Sequence, residues 1–154
     1  MSRGEERLPL WLCAGGFLSG ALLVTLRTPV FLPDERTALR ILSFLPGVFL
    51  LLCGPCGSLI AAAGCVAGGG LVSSLAAGLA AGKSGIAAVK LLLFLGLSVP
   101  ALFVSACCCI RLSVGFLALL FSPLRRESAG VWMDCLFLLL VCTVISAAAF
   151  GAVR

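Results

Sequence analysis

The chain has no histidine and no tyrosine, and only 11% of its 154 residues are charged. Without histidine, imidazole-based acid–base chemistry and imidazole metal ligation are excluded within this chain. The shortage of charge says more. A soluble domain carries about a quarter charged residues, whereas this chain is 62% hydrophobic with a mean hydropathy of +1.25. Water is therefore not its main solvent. Within a bilayer only helices and closed barrels satisfy their backbone groups. The apolar runs are continuous and leucine-rich rather than alternating, which argues for helices. No basic cluster with interleaved aromatics exists, so the net charge of +5 points to loops meeting anionic headgroups and not to nucleic acid.

What the chain does have is small residues. From Ser58 to Gly82 it reads SLIAAAGCVAGGGLVSSLAAGLAAG, without a charge. As a helix this stretch is about 37 Å long, enough to cross a hydrocarbon layer of about 30 Å. In steps of four, one row is Gly57, Ala61, Cys65, Gly69, Ser73, Ala77, Ala81, and the next is Ser58, Ala62, Val66, Gly70, Ser74, Gly78, Gly82. Larger side chains fall on the line Leu71, Leu75, Leu79. Helices associate in lipid through close packing, because acyl chains already satisfy a leucine. This stretch is therefore expected at the centre of a bundle, with Gly64, Gly68, Gly70, Ser74, Gly78 and Gly82 as packing positions.

In chain order, a first span is expected at 8–26, uncleaved, with Trp11 at the interface and Gly16 and Gly20 as a small-xxx-small docking line. Leu10-Trp11-Leu12-Cys13 resembles a lipoprotein signal in outline, but bulky Leu12 stands where a small residue is required. Pro29 and Pro33 mark a loop, and Asp34-Glu35 can open the next helix. Ile41 to Gly82 is too long for one crossing, so a break is expected at Gly54-Pro55, giving spans at 41–54 and 58–82. Pro46 keeps a re-entrant form of residues 41–57 open. A fourth span is predicted at 86–110, kinked at Pro100, with Ser98 and Ser105 re-satisfying the backbone, and ended by Arg111. Residues 112–121 are too few to cross and are expected along the interface. The last span is 129–153. The fold class is thus an all-α, polytopic bundle of about five spans. Arg3, Arg7, Arg111, Arg125 and Arg126 lie on one side, and Arg27, Arg36, Arg40, Lys83 and Arg154 on the other, so charge does not orient it.

Each motif has a plain reading beside a chemical one. The nine cysteines lie in or beside apolar runs, where free thiols act as small hydrophobes. Cys53-Gly54-Pro55-Cys56 has the spelling of a thioredoxin dithiol without its strand context, and reads first as a break between two spans. Cys107, Cys108 and Cys109 point about 100° apart on a helix, so they do not converge on one ion. Gly78 to Ser84 misses the phosphate-loop pattern because Ala77 holds its first glycine position. Lys90 and Asp134 are the ionisable residues within spans. Lys90 can snorkel, and Asp134 is expected to pair with Arg111 near the opposite face. No cofactor or metal site is predicted.

The order of features resembles the stage II sporulation protein M family of multi-pass bacterial membrane proteins. The residues that carry the resemblance are Ala14 to Leu22, Gly54-Pro55, Gly64 to Leu75, Lys83 to Ile86, and Val99-Pro100-Ala101-Leu102. Where the family has a Leu-Pro followed by polar residues in the fourth helix, this chain has Leu92, Leu93, Phe94 and Leu95, so no family site is carried over. The resemblance implies a non-enzymatic component of the bacterial plasma membrane that joins peptidoglycan hydrolases during engulfment. The residues themselves lead to a scaffold contacting the bilayer and other membrane proteins. A small transporter subunit, lined by Lys90, Ser73, Ser74 and Ser98, and a thiol–disulfide exchanger using Cys53 and Cys56 are the alternatives.

Overall fold

The computed structural model describes residues 8–26, 34–80, 85–121 and 129–153. They form five helices: α1 (Leu8–Leu26), α2 (Glu35–Leu51), α3 (Gly57–Ala80), α4 (Ile86–Phe121) and α5 (Ala129–Val153). This is the expected all-α bundle. α1, α3, α4 and α5 are long and apolar enough to cross a membrane. Their outer faces carry large bare side chains such as Leu26, Leu59, Ile86 and Phe137. In lipid such a surface is solvated by acyl chains.

α2 differs in kind. Ala38, Leu39, Leu42, Ser43, Pro46 and Phe49 are buried at helical spacing, while Arg36, Arg40 and Phe44 face outward. It begins before the predicted 41–54, because Glu35 in the first turn suits the positive helix end and the Ala38 amide donates to the Asp34 carbonyl at 2.9 Å. It also stops earlier, at Leu51, where the Leu52 amide closes on the Val48 carbonyl at 3.0 Å. Although α2 has only 17 residues, it reaches from the start of α4 to the level of Cys109. Arg36 and Arg40 share a cleft with Lys90, and at the far end the Phe49 carbonyl accepts from Cys109 Sγ at 3.8 Å. Lys90 to Cys109 is a rise of about 28 Å. Pro46 sits inside this helix without ending it.

The break between α2 and α3 falls at the predicted place. The Gly57 amide donates to the Gly54 carbonyl at 2.9 Å, and Ser113 of α4 donates to the Pro55 carbonyl at 3.0 Å. α3 begins at Gly57, and the predicted end at Gly82 lies outside the described residues.

Two expectations are corrected. The helix predicted at 86–110 does not end at Arg111, and 112–121 is not a separate interfacial segment: α4 is one helix of 36 residues. No proline or turn intervenes there, and Leu112 and Ser113 are buried, so packing carries the helix on to Phe121, just before Ser122-Pro123. The centre is also not α3. α3 touches α1, α2 and α4, whereas α4 touches all four other helices. Glycine and alanine let backbones approach but fill little volume, so the interior is filled by Phe94 and Leu102 of α4, Leu42 and Phe49 of α2 and Leu139 of α5.

Candidate functional site

Among the described glycines, those closest to a neighbouring backbone lie in the seam between α1 and α3. These helices run the same way, since Gly16 lies against Ala62 and Cys65, Gly20 against Val66, and Val24 against Gly70. A Cβ on Gly20 would collide with the Val66 carbonyl oxygen, and one on Gly69 with the Phe17 carbonyl oxygen. Each backbone therefore seats its neighbour's carbonyl in the gap a glycine leaves, the geometry that favours Cα–H···O contacts between helices. Phe17 also meets Phe103 of α4, with ring centres 5.1 Å apart.

The predicted packing residues divide unequally. Gly16 makes ordinary contact, 3.4 Å from its ideal Cβ to the Cys65 Cβ, while Gly70 is tighter, 3.0 Å from Val24 Cγ2. Gly64 lies under the Phe49 ring of α2, and a Cβ on Gly68 would come within 2.6 Å of Leu102 Cδ2. Ser74 spends its hydroxyl on the Leu71 carbonyl of its own helix, at 2.7 Å. Gly78 has open space around it, and Gly82 lies outside the described residues. Sequence reasoning passed over Gly69, although it sits in the small-residue row through Cys65, and Gly57, which packs on Cys109 and Ser113.

The three consecutive cysteines go to three different neighbours. Cys107 Sγ lies 3.9 Å from Cys13 Sγ of α1, which in turn lies beside Cys65 of α3. Cys108 faces Cys135 and Cys142 of α5. Cys109 turns to the Gly57 carbonyl at 3.4 Å and to Phe49. All nine thiols are free. Among the described residues no group of three or more histidine, cysteine or acidic side chains has the geometry to hold a metal ion. Cys53 and Cys56 are not joined: Cys53 donates to the Leu50 carbonyl at 3.3 Å, and exposed Cys56 opens α3, its carbonyl accepting from Leu59 and Ile60.

Arg111 and Asp134 both face outward, and no ion pair joins them. Because α4 continues through position 111, helical phase turns Ile110, Leu112 and Ser113 inward and leaves Arg111 outside. The buried polar side chains among the described residues are all serines: Ser43, Ser98, Ser105, Ser113 and Ser146. Ser105 donates to the Leu102 carbonyl of its own helix at 2.9 Å, whereas the carbonyl that Pro100 leaves without its helical donor is that of Gly96, so the expected compensation is not made by this bond. Ser98 does not make it either, since its hydroxyl and that of Ser146 have no hydrogen-bond partner. The residues proposed to line a transport cavity differ in their surroundings. Lys90 is exposed, Ser98 is buried in the bundle, and Ser74 is bonded to its own helix.

Lys90 instead lines a cleft of about 630 Å³ where α2 and α4 begin and α5 ends. Its polar side chains are Arg36, Arg40, Lys90 and Glu35, and Glu35 is itself engaged in an interaction. Leu39, Leu91 and Phe150 form apolar wall. No protein-family model, curated protein or solved structure matches this chain.

Proposed function

We propose that the chain is a non-enzymatic, multi-pass membrane scaffold that holds other membrane or wall-remodelling proteins in place. The observation that supports this reading is the solid interior. Large apolar side chains from α2, α4 and α5 close the middle of the bundle, and the buried polar groups there are isolated serine hydroxyls. Among the described residues such an interior lines up no polar route for a substrate, while the outer faces of α1 and α5 remain available to neighbouring helices. The order of glycines and Val99-Pro100 that resembles the sporulation membrane proteins points to peptidoglycan hydrolases as partners.

The test is purification of the full chain from its native membrane in mild detergent, followed by quantitative mass spectrometry. A wall hydrolase recovered in fixed stoichiometry supports the scaffold. Substrate uptake by vesicles containing the purified chain alone would refute it.

A further inference from the structure

We propose that the cleft between the starts of α2 and α4 and the end of α5 binds the phosphate-bearing headgroup of an anionic phospholipid. This rests on residence in a bilayer alone and stands apart from the scaffold reading. Three cations from two helices converge there: Arg36 and Arg40, one turn apart on α2, and Lys90, one turn inside α4. One carboxylate, that of Glu35, faces them and is itself engaged, so the lining keeps an excess of positive charge. α2 and α4 both begin at this end, and their positive dipole ends add to that excess.

The position selects a lipid over a free anion. The cleft lies where charged helix ends meet the bundle's apolar body, and its volume of about 630 Å³ suits a headgroup with the first part of its chains. Beyond Lys90 on the same face of α4 stand exposed Leu93 and Leu97, one and two turns further in, a surface an acyl chain can follow from the Leu91 and Phe150 wall into the hydrocarbon. Inorganic phosphate would satisfy the cations and leave that wall unused. Arg36 and Arg40 can each present two donors to phosphate oxygens, whereas Lys90 acts as a point charge.

The experiment uses the full chain, delipidated in detergent and offered equal amounts of phosphatidylglycerol and phosphatidylcholine, with retained lipid read by native mass spectrometry. Phosphatidylglycerol should be retained in preference, and the preference should fall with added salt, because the cations are exposed. Arg36→Gln, Arg40→Gln and Lys90→Gln should each lower it about fivefold, while Arg40→Lys keeps most of it and Asp134→Asn, at the other end of the bundle, changes nothing. Equal retention of both lipids, a preference indifferent to salt, or one that survives the triple glutamine variant would each overturn the proposal. Displacement of the lipid by millimolar inorganic phosphate would overturn its lipid source and identify a free-anion site.

Discussion

Gly20 of α1 and Gly69 of α3 are reciprocal: each leaves the space that a carbonyl oxygen of the opposite helix occupies, Val66 for the first and Phe17 for the second. The obstruction on both sides is backbone, which cannot swing away as a leucine end can. Gly20→Ala and Gly69→Ala should each destabilise the protein by about 1–3 kcal/mol, the usual cost of overpacking. Denaturation in mixed micelles by rising dodecyl sulfate measures it. Stability equal to the parent in both variants would show that the seam is looser than described.

Gly78 lies on the same helix and serves as its counterpart. Nothing approaches the place a methyl would take, and alanine is the better helix former. Gly78→Ala should stay within about 0.5 kcal/mol of the parent or gain slightly. The same denaturation assay decides it.

The thiols should react in the order of their exposure. Cys56 is exposed at the start of α3, while Cys13, Cys65 and Cys109 are nearly inaccessible. A water-soluble maleimide added to the folded protein in detergent should label Cys56 first. Cys13, Cys65 and Cys109 should react only after unfolding, as peptide mapping would reveal; early labelling of Cys65 would contradict the packing of α1 on α3.

Ser113 ties the α2–α3 turn to α4 through the Pro55 carbonyl. Ser113→Ala removes the donor and leaves a carbonyl without its partner, at a cost of about 1 kcal/mol. Proteolytic nicking near Gly54-Pro55 should become faster, with no matching change at the other loops. An unaltered cleavage pattern would mean that the turn does not depend on this bond.

Asp134 and Arg111 should prove separable. Both are exposed and unjoined, so Asp134→Asn and Arg111→Gln should each leave the denaturation midpoint in place. A shared loss, recovered when the charges are exchanged, would establish the pair that the structure does not form.

Much of the architecture was legible because the signals were local. An uncharged run followed by Gly54-Pro55 marks the α2–α3 break, and the bounds of α1 and α5 follow from where charge stops and starts. Arg111 misled because a lone cation in an apolar run reads as a terminus. A helix can carry arginine outward without ending, and only the burial of Leu112 and Ser113 shows that it does. α2 begins earlier than its apolar run for a related reason: Arg36 and Arg40 have the look of loop residues, and only the inward packing of their neighbours Leu39 and Leu42 places them on a helix. The small-residue rows on α3 indicated close packing, but not which glycine would meet backbone. Gly69 and Gly78 look alike in sequence, and only the helix opposite distinguishes them. The cationic cleft was invisible because Lys90 and Arg40 are brought together by the meeting of two helix starts and not by spacing.

At 36 residues α4 is a rod of about 54 Å, against an oily slab of about 30 Å. Even leaning by about 40°, the steep limit for such rods, it still reaches across roughly 41 Å. Some 10 Å in total must therefore stand clear of the slab, at one end or shared between both, whichever way the molecule leans. Because every other helix packs on α4, its lean is everyone's lean, and its surplus length sets how far the whole molecule stands out of the oily layer.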